Sequence, residues 1–259
     1  MKASIMTFNI RYDNPYDGEN CWVRRRDFVF EMLKENDPDI LCLQEVLPHV
    51  KNDLEESLPG YNFCGCGRSA DLQGEYNPIG YHRDRFDLLF TETFWLGTDP
   101  KVPGSMNPYS VDLPRICTQV ILRDKKDGTV FSVYNTHLDH VSDQSRIWGM
   151  SIIFEQMRKY PSLPSFITGD FSATPDGVEM EYFNTYNPLA LVNFSDTSEL
   201  PVSYTYHDFL NPSHNCKIDY IFATKEVQKL DFNSIRDTKD TLELSDHYPC
   251  ISNFAIESA

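Results

Sequence analysis

Several features that mark other classes of protein are missing from this chain of 259 residues. No apolar run approaches the roughly 20 residues of a membrane-spanning helix. The N-terminal stretch MKASIMTFNIRYDN is broken by Thr7, Asn9 and Arg11, so it lacks the sustained apolar segment of a secretory signal peptide. Low-complexity tracts, short repeats and linker-like runs of Pro and Gly are absent as well. We therefore expect a single domain over residues 1–259 that does not insert into a membrane.

The chain also lacks an even set of cysteines and an excess of basic residues. Seven cysteines, an odd number, favour a reducing compartment over a disulfide framework, which predicts a cytoplasmic protein. Cys64 and Cys66 in CGCG have no second Cys/His pair nearby at zinc-ligand spacing, and we interpret them as structural thiols. Lys and Arg number 23 against 39 Asp and Glu, and the net charge of -16 disfavours a non-specific binder of long nucleic acids. A nuclease is not excluded, because bound metal can supply local positive charge.

The chain does contain many short runs rich in β-branched and aromatic residues. They alternate or are continuously apolar, as buried strands are: SIMTFNI, DILCLQEV, DLLFTETFWL, RICTQVILR, TVFSVYNTHL, SFITGDF, KIDYIFA and YPCISNFAI. Helical spacing occurs around Val29, after Pro48 and after Ser142. Many strands with few helices predict two packed sheets covered by helices, an α/β sandwich, rather than a regular alternation of strand and helix.

A polar, Gly-rich segment over residues 65–86 (GCGRSADLQGEYNPIGYHRDRF) separates two of these runs. We expect it to form a loop over a binding surface. Its Tyr76 and Tyr81 have two interpretations. They either stack on a base or sugar, or pack at the edge of a sheet, which is the commoner fate of an aromatic side chain.

Polar residues stand at or near the ends of several predicted strands: Asn9, Glu45, His137, Asp170, Asp219, Asp246 and His247. Taken singly, each has an ordinary interpretation as a turn former, a surface acid or a buried histidine. As a set they are harder to explain, because acids seldom lie beside buried strands unless they are paired or hold a metal. Clustered carboxylates suit Mg²⁺ or Mn²⁺ with phosphate oxygens, and histidines can be cationic near neutral pH. This combination indicates hydrolysis of a phosphate ester.

Six short motifs resemble those of the endonuclease/exonuclease/phosphatase superfamily, the group similar to deoxyribonuclease I. They are FNIR, LQEV, NTHLDH, GDFSATP, KIDYIF and SDHYP, in family order between Met6 and about Pro249. The resemblance implies a four-layer α/β sandwich of two mixed β-sheets flanked by helices, and hydrolysis of phosphate esters with a divalent metal. RYDNPYDGENCWVRRRD and FWLGTDPKVPGS look most like a bacterial branch without a settled substrate. Superfamily members cleave DNA, RNA tails, sphingomyelin or inositol phosphates, so the fold does not select the substrate.

The resemblance also implies a metal site for Mg²⁺ or Mn²⁺. Glu45 is expected to be the principal ligand, with Asn9 and Asp246 close to the metal or its waters. The ion would neutralise charge on the phosphate oxygens.

Four further residues have roles implied by the resemblance. Asp170 is expected to orient or deprotonate the attacking water. His247 would interact with the scissile phosphate, and Asp219 would orient its ring. His137 would hold the phosphate or assist the leaving group.

Three more candidates come from residue chemistry or from a departure from the family pattern. Arg11 and Arg115 present planar forks that suit phosphate oxygens, although surface salt bridges in an acidic protein explain them about as well. Ser172 stands where the family has Asn, whose amide stabilises developing charge on the phosphate. Three explanations compete: tolerance with a different phosphate pose, a weakened enzyme that binds a phosphorylated ligand, or an introduced substitution. The expected partner is a phosphorylated small molecule or short nucleic acid, and no protein partner is inferable.

Overall fold

The computed structural model describes residues 1–195, 204–239 and 242–257. The strands are β1 (Lys2–Asn9), β2 (Ile40–Gln44), β3 (Tyr61–Cys64), β4 (Ile79–His82), β5 (Phe86–Trp95), β6 (Ile116–Asp124), β7 (Val130–His137), β8 (Ser165–Asp170), β9 (Val192–Asn193), β10 (Asp219–Ala223), β11 (Val227–Lys229), β12 (Asn233–Ser234), β13 (Thr238–Lys239), β14 (Leu242–Glu243) and β15 (Cys250–Ile256). The α-helices are α1 (Trp22–Asn36), α2 (Pro48–Ser57), α3 (Asp143–Met157) and α4 (Val178–Thr185), and 3-10 helices cover Pro15–Asn20 and Pro212–His214.

Most strands of the described residues belong to two mixed sheets. The larger has the order β11-β15-β1-β2-β4-β3, with β12 also paired to β15, and the smaller has the order β5-β6-β7-β8-β10-β9. Each contains one parallel pair, β1 with β2 and β7 with β8, among antiparallel neighbours. A separate ribbon joins β13 and β14.

Three buried apolar clusters hold the layers together. The inner cluster lies between the sheets and includes Ile5 and Ile40 from the larger sheet and Val133 and Phe166 from the smaller one. The other clusters pack α1 and α2 on the larger sheet, and α3 and α4 on the smaller sheet. Alternation along β1 serves two layers at once, since Ile5 belongs to the inner cluster and its neighbour Met6 to an outer one. The fold is the four-layer α/β sandwich that the sequence predicts.

All eight predicted strand runs contain a strand, and all three predicted helices form. Local signals explain the helix starts: Pro48 occupies the first turn of α2, and the Ser142 hydroxyl accepts a hydrogen bond from the Ser145 N–H at the start of α3 (3.2 Å). Helix α4 and the short strands β3 and β4 have no counterpart among the predictions.

The prediction of a loop over residues 65–86 is wrong for its last part. The chain is irregular up to Pro78, but β4 then forms and pairs with both β2 and β3. Ile79 and Tyr81 of β4 are buried in the inner cluster, and Tyr76 packs against the core beneath α1 and α2. The packing interpretation of the two tyrosines is therefore the one that the structure favours.

Strand pairing brings the predicted polar residues to one edge of the sandwich. In the parallel pair of β1 and β2, Asn9 is in register with Gln44, which places Glu45 immediately beyond it. In the smaller sheet Asp170 is in register with both His137 and Asp219. Among the helices that the structure describes, none is long and apolar enough to cross a membrane.

Candidate active site

A cavity of about 590 Å³ lies at this edge. Eight of the ten predicted site residues line it: Arg11, Glu45, Arg115, His137, Asp170, Ser172, Asp246 and His247. The remaining two, Asn9 and Asp219, lie behind the lining and hydrogen-bond to residues that form it. Strand topology thus gathers residues from the whole length of the chain into one concave site.

His247 is held in the cavity by a carboxylate behind it. Its Nδ1–H donates to Asp219 Oδ2 over 2.8 Å, and its Nε2 lies 3.7 Å from Asp170 Oδ2. Burial by itself would lower the pKa of His247, but the charges of Asp219, Asp170 and Asp246 outweigh it and raise the pKa to about 10. His247 is therefore a cation at neutral pH.

Asp170 is buried and accepts several hydrogen bonds. The Ser172 backbone N–H donates to Oδ1 (2.8 Å), and Asn9 Nδ2 donates to Oδ2 (3.0 Å). Burial raises the pKa of Asp170 to about 6; His247 opposes this shift and Asp219 adds to it. The carboxylate is thus poised to exchange a proton near neutral pH.

Asn9 joins the two sheets across the site. Its side-chain nitrogen donates to Glu45 Oε1 (3.0 Å) as well as to Asp170. The other oxygen of Glu45 accepts a hydrogen bond from the Tyr12 backbone N–H (2.8 Å). The amide therefore fixes the distance between an acid on the larger sheet and one on the smaller.

His137 differs from His247 in its charge state. Its Nε2 lies 3.4 Å from Asp170 Oδ2, and its Nδ1 is buried without a hydrogen-bond partner among the described residues. Burial lowers the pKa of His137 well below 6.5 despite the nearby acid, and Arg115 and Arg68 lower it further. His137 is thus a neutral imidazole, whereas the sequence allows both histidines to be cations.

Arg11 is engaged by acids of the chain itself. Its Nε and Nη2 donate to the two oxygens of Asp17 (2.9 and 3.1 Å), and its Nη1 lies 3.5 Å from Asp246 Oδ2. Burial would lower the pKa of Arg11, but these acids and Glu45 raise it above its ordinary value. The salt-bridge interpretation of Arg11 therefore describes its present contacts, although the residue still lines the cavity.

Three lining residues adopt the left-handed backbone conformation that L-residues seldom occupy. They are Arg11 (φ 58°), Glu45 (φ 62°) and Ser172 (φ 48°), and each follows within two residues of a strand end. Such strain is typical of positions where the surrounding structure fixes a functional side chain. The Ser172 hydroxyl lies 3.2 Å from Asp170 Oδ1 and donates to it, so this donor is directed at the acid.

Residues missed from the sequence form part of the same cavity. Arg68, Glu75 and His140 line it together with Arg115, whose Nη2 donates to His140 Nδ1 over 2.9 Å. Arg68 Nη2 donates to Glu75 Oε1 (2.6 Å). A signal for them existed, since Arg68 and Glu75 lie in the segment predicted to cover a binding surface and His140 closes the NTHLDH motif.

Two groups of residues have the chemistry to hold a cation. Among the described residues, Asp170, Asp219 and His247 offer ligand atoms within 4.8 Å of one another. We interpret this group as a hydrogen-bonded row, because the Nδ1 of His247 is already bonded to Asp219. Glu45 and Asp246 supply another pair of carboxylates to the cavity; burial raises the pKa of Asp246, and the nearby Glu45 adds to the effect. A cation would relieve that repulsion, and oxygen donors of this kind fit Mg²⁺ or Mn²⁺.

Solved structures of related proteins share the whole fold. A crystal structure of the endonuclease/exonuclease/phosphatase from Bacteroides vulgatus is 35% identical in sequence, and the superposition covers 99% of this chain and 100% of that chain with a TM-score of 0.93. A mannosyl-6-phosphatase from Bacteroides thetaiotaomicron is 27% identical, with 98% and 100% of the two chains covered and a TM-score of 0.88.

Sequence comparison gives one partial match and one nearly complete one. An uncharacterized protein of Acanthamoeba polyphaga mimivirus is 32% identical over 98 residues, which is 33% of this chain and spans only 14% of the viral protein. The model of the Endonuclease/Exonuclease/phosphatase family matches residues 6–247, from the first strand to the cavity histidine. This chain therefore belongs to the endonuclease/exonuclease/phosphatase family, whose members are in general hydrolases of phosphate esters.

Proposed function

We propose that this protein hydrolyses phosphate esters with a divalent metal ion, Mg²⁺ or Mn²⁺, as a phosphodiesterase, nuclease or phosphatase. The observation that carries the proposal is the buried row of Asp219, His247 and Asp170 beside the Glu45 and Asp246 carboxylates in one cavity. Glu45 and Asp246 would hold the ion, with Asn9 close by. When bound, the ion would act as a Lewis acid that neutralises charge on the phosphate oxygens.

The chain's own residues would divide proton acceptance, charge stabilisation and phosphate binding between them, and the leaving group would take its proton from solvent water. Asp170, with a pKa of about 6, is the proposed acceptor of the proton from the attacking water. The cationic His247 stabilises charge on the scissile phosphate, and Asp219 positions its ring. His137, being neutral, would hold the phosphate by a hydrogen bond rather than by charge. Arg115 remains a proposed phosphate clamp, as does Arg11 if substrate displaces its acidic partners.

The substrate that we favour is a phosphorylated small molecule. The mannosyl-6-phosphatase of Bacteroides thetaiotaomicron, 27% identical over nearly the whole chain, supports a phosphorylated sugar as a member of this class. The net charge of -16 also disfavours a long polyanion. A short nucleic acid is the second candidate substrate.

A protein that binds a phosphorylated ligand without turnover is the alternative function, and Ser172 favours it. The hydroxyl of Ser172 is directed at Asp170, so it does not reproduce the amide donor expected at this position. Calorimetric binding of a phosphorylated ligand without hydrolysis would identify this case.

The experiment that tests the proposal is hydrolysis of an aryl phosphate monoester and diester in Mg²⁺ or Mn²⁺. We expect turnover by the unaltered protein that is lost in Asp170→Ala, and the ratio of the two rates narrows the substrate class. The proposed activity would be refuted if the protein hydrolysed neither ester and none of a set of nucleic-acid, lipid and sugar-phosphate substrates.

Two broader predictions remain proposals. We infer that residues 1–259 form one domain, which is supported by the inner cluster that both sheets share. A cytoplasmic location is proposed from the odd number of cysteines.

A further inference from the structure

The cavity has a basic part, and the proposed reaction so far uses only Arg115 of it. Arg68 lies in the irregular segment before β4, Arg115 precedes β6, and His140 follows β7, yet all three line the cavity. Both arginines are close enough to His137 to affect its charge state. The basic part therefore adjoins the reacting residues.

Arg115 is a buried cation that none of the described acids contacts directly, although the charges of Glu75, Asp139 and Asp170 act on it from a distance. The residue is 5% exposed, its Nε has no hydrogen-bond partner among the described residues, and its Nη2 donates to the Nδ1 of His140. Among the described residues, the guanidinium has a hydrogen bond to His140 but none to a carboxylate. Because a buried charge is costly without a counter-charge, this arrangement favours an anionic ligand.

Arg68 adds a second guanidinium to the same place. It is 9% exposed and is paired only with Glu75 among the described acids. Burial lowers the pKa of Arg115 and the positive charge of Arg68 lowers it further, so the two cations repel each other. An anion between them would remove this repulsion, and Glu75, which is hydrogen-bonded to Arg68, is the nearest described carboxylate to oppose such a ligand; Asp139 and Asp170 act on Arg115 from further away.

We infer that Arg68, Arg115 and His140 form a subsite, here called the basic subsite, that binds a phosphate dianion of the substrate. The planar forks of two arginines match the terminal oxygens of a phosphate group. Two sources would supply this chemistry: the terminal phosphate of a monoester undergoing hydrolysis, or a second phosphate on a substrate cleaved elsewhere. The inference rests on the proposed function for its class of substrate.

The test is calorimetric titration of inorganic phosphate, at constant Mg²⁺ and slightly alkaline pH, into the full chain and five variants. Arg68→Gln and Arg115→Gln should each weaken phosphate binding about tenfold or more, because each removes a charge-assisted hydrogen bond. Glu75→Gln should tighten binding, since it removes the opposing charge. Arg123→Gln is the matched control: Arg123 lies at the far end of β6, is half exposed and pairs with Asp87.

The sign of the Glu75→Gln effect separates a binding subsite from a structural ion pair. Weaker binding in Glu75→Gln, unchanged affinity in both arginine variants, or no phosphate binding by the unaltered protein would overturn the inference. Arg115→Lys keeps the positive charge but lacks the planar guanidinium. A phosphate affinity between those of the unaltered protein and Arg115→Gln supports the inference. An affinity equal to that of the unaltered protein contradicts the role of the guanidinium. This variant also replaces Arg115→Gln if the latter fails to fold.

Kinetics then identify the source of the phosphate. A rise in KM for 4-nitrophenyl phosphate in the arginine variants assigns the basic subsite to the terminal phosphate that is cleaved. A rise only for a dinucleotide that carries a 5′-phosphate, compared with the same dinucleotide without it, assigns it to a second phosphate. If phosphate binding follows the predicted pattern while no ester is hydrolysed, the subsite stands and the proposed activity fails. If esters are hydrolysed but KM and phosphate affinity are unchanged in both arginine variants, the proposed activity stands and the basic subsite fails.

Discussion

The charge of His247 is set by the residue behind it, and this gives the first prediction. Asp170 must lose its proton and His247 must keep its own, so kcat/KM should rise with pH through about 6 and fall through about 10. Asp219→Asn removes the carboxylate that raises the pKa of His247, so the alkaline limb should move to lower pH and the rate at neutral pH should fall about 10²–10⁴-fold. The pH–rate profiles of the two proteins make the comparison, and an alkaline limb that does not move in Asp219→Asn would contradict the assignment.

The same histidine links stability to pH. The pKa of His247 is raised from 6.5 to about 10 on folding, so its stabilising contribution is complete below pH 6.5 and is lost as pH rises through about 10. Urea unfolding of the unaltered protein and of Asp219→Asn should therefore show a stability difference that is larger at pH 6 than at pH 10. A difference that stays constant over this range would show that the pair is not the source of the shift.

Ser172 gives a prediction with two distinguishable readouts. Its φ of 48° lies in the left-handed region, where Asn is better tolerated than most residues, so Ser172→Asn should not lower the thermal midpoint. It should raise kcat by up to about 10²–10³-fold, because an amide donor returns to the site. Rates with an aryl phosphate test this, and Ser213→Asn, on an exposed 3-10 helix, is the control. An unchanged kcat would show that the missing amide donor at Ser172 does not limit turnover.

At the scale of elements, the sequence predicts what depends on local periodicity. Eight of the strands in the two sheets coincide with runs rich in β-branched and aromatic residues, and α1 and α3 have apolar residues four apart, so both kinds of element were identifiable. Strand β4 was not, because its Gly80 and His82 interrupt the pattern and only pairing with β2 and β3 stabilises it. For the same reason Arg68 and Glu75 were missed: neither ends a strand, and only the fold brings them to the cavity.

Helix α1 contributes a buried arginine that joins the segment after β1 to the segment before β15. Arg25 is fully buried and donates to the carbonyls of Ile10 (3.0 Å), Leu244 (2.6 Å) and Arg11 (3.2 Å). Arg25→Met leaves these acceptors unpaired, so the free energy of unfolding should fall by about 3 kcal/mol or more. Its neighbour provides the control, since Arg24 is exposed and pairs with Glu19 alone among the described acids, and Arg24→Met should cost roughly 0.5 kcal/mol or less. Chemical unfolding of both variants measures the contrast, and equal losses would contradict it.

The close approach of β7 and β8 depends on a glycine next to the proposed base. Gly169 has a φ of 140°, and a Cβ at this position would lie 1.9 Å from the Thr136 carbonyl oxygen. Gly169→Ala should therefore destabilise the fold by about 3 kcal/mol and displace Asp170. Gly128→Ala is the matched control, because Gly128 has a φ of 76° but open space around it, so only the backbone strain of roughly 1 kcal/mol applies. A Gly169→Ala protein as stable as the control would show that the strands can separate without cost.

At the scale of the whole molecule, a protein with a net charge of -16 has a cavity that we propose binds phosphate. Long-range repulsion should act on long nucleic acids more than on small esters, because more substrate charges lie within the protein's field. Raising the salt concentration to physiological strength shortens the screening length to about 8 Å. At fixed Mg²⁺, kcat/KM for oligonucleotides should therefore increase with salt, and more steeply for longer ones, while that for 4-nitrophenyl phosphate changes little. A long duplex for which kcat/KM instead falls steeply with salt would indicate counterion release at a basic face, and would contradict the preference for a small phosphorylated substrate.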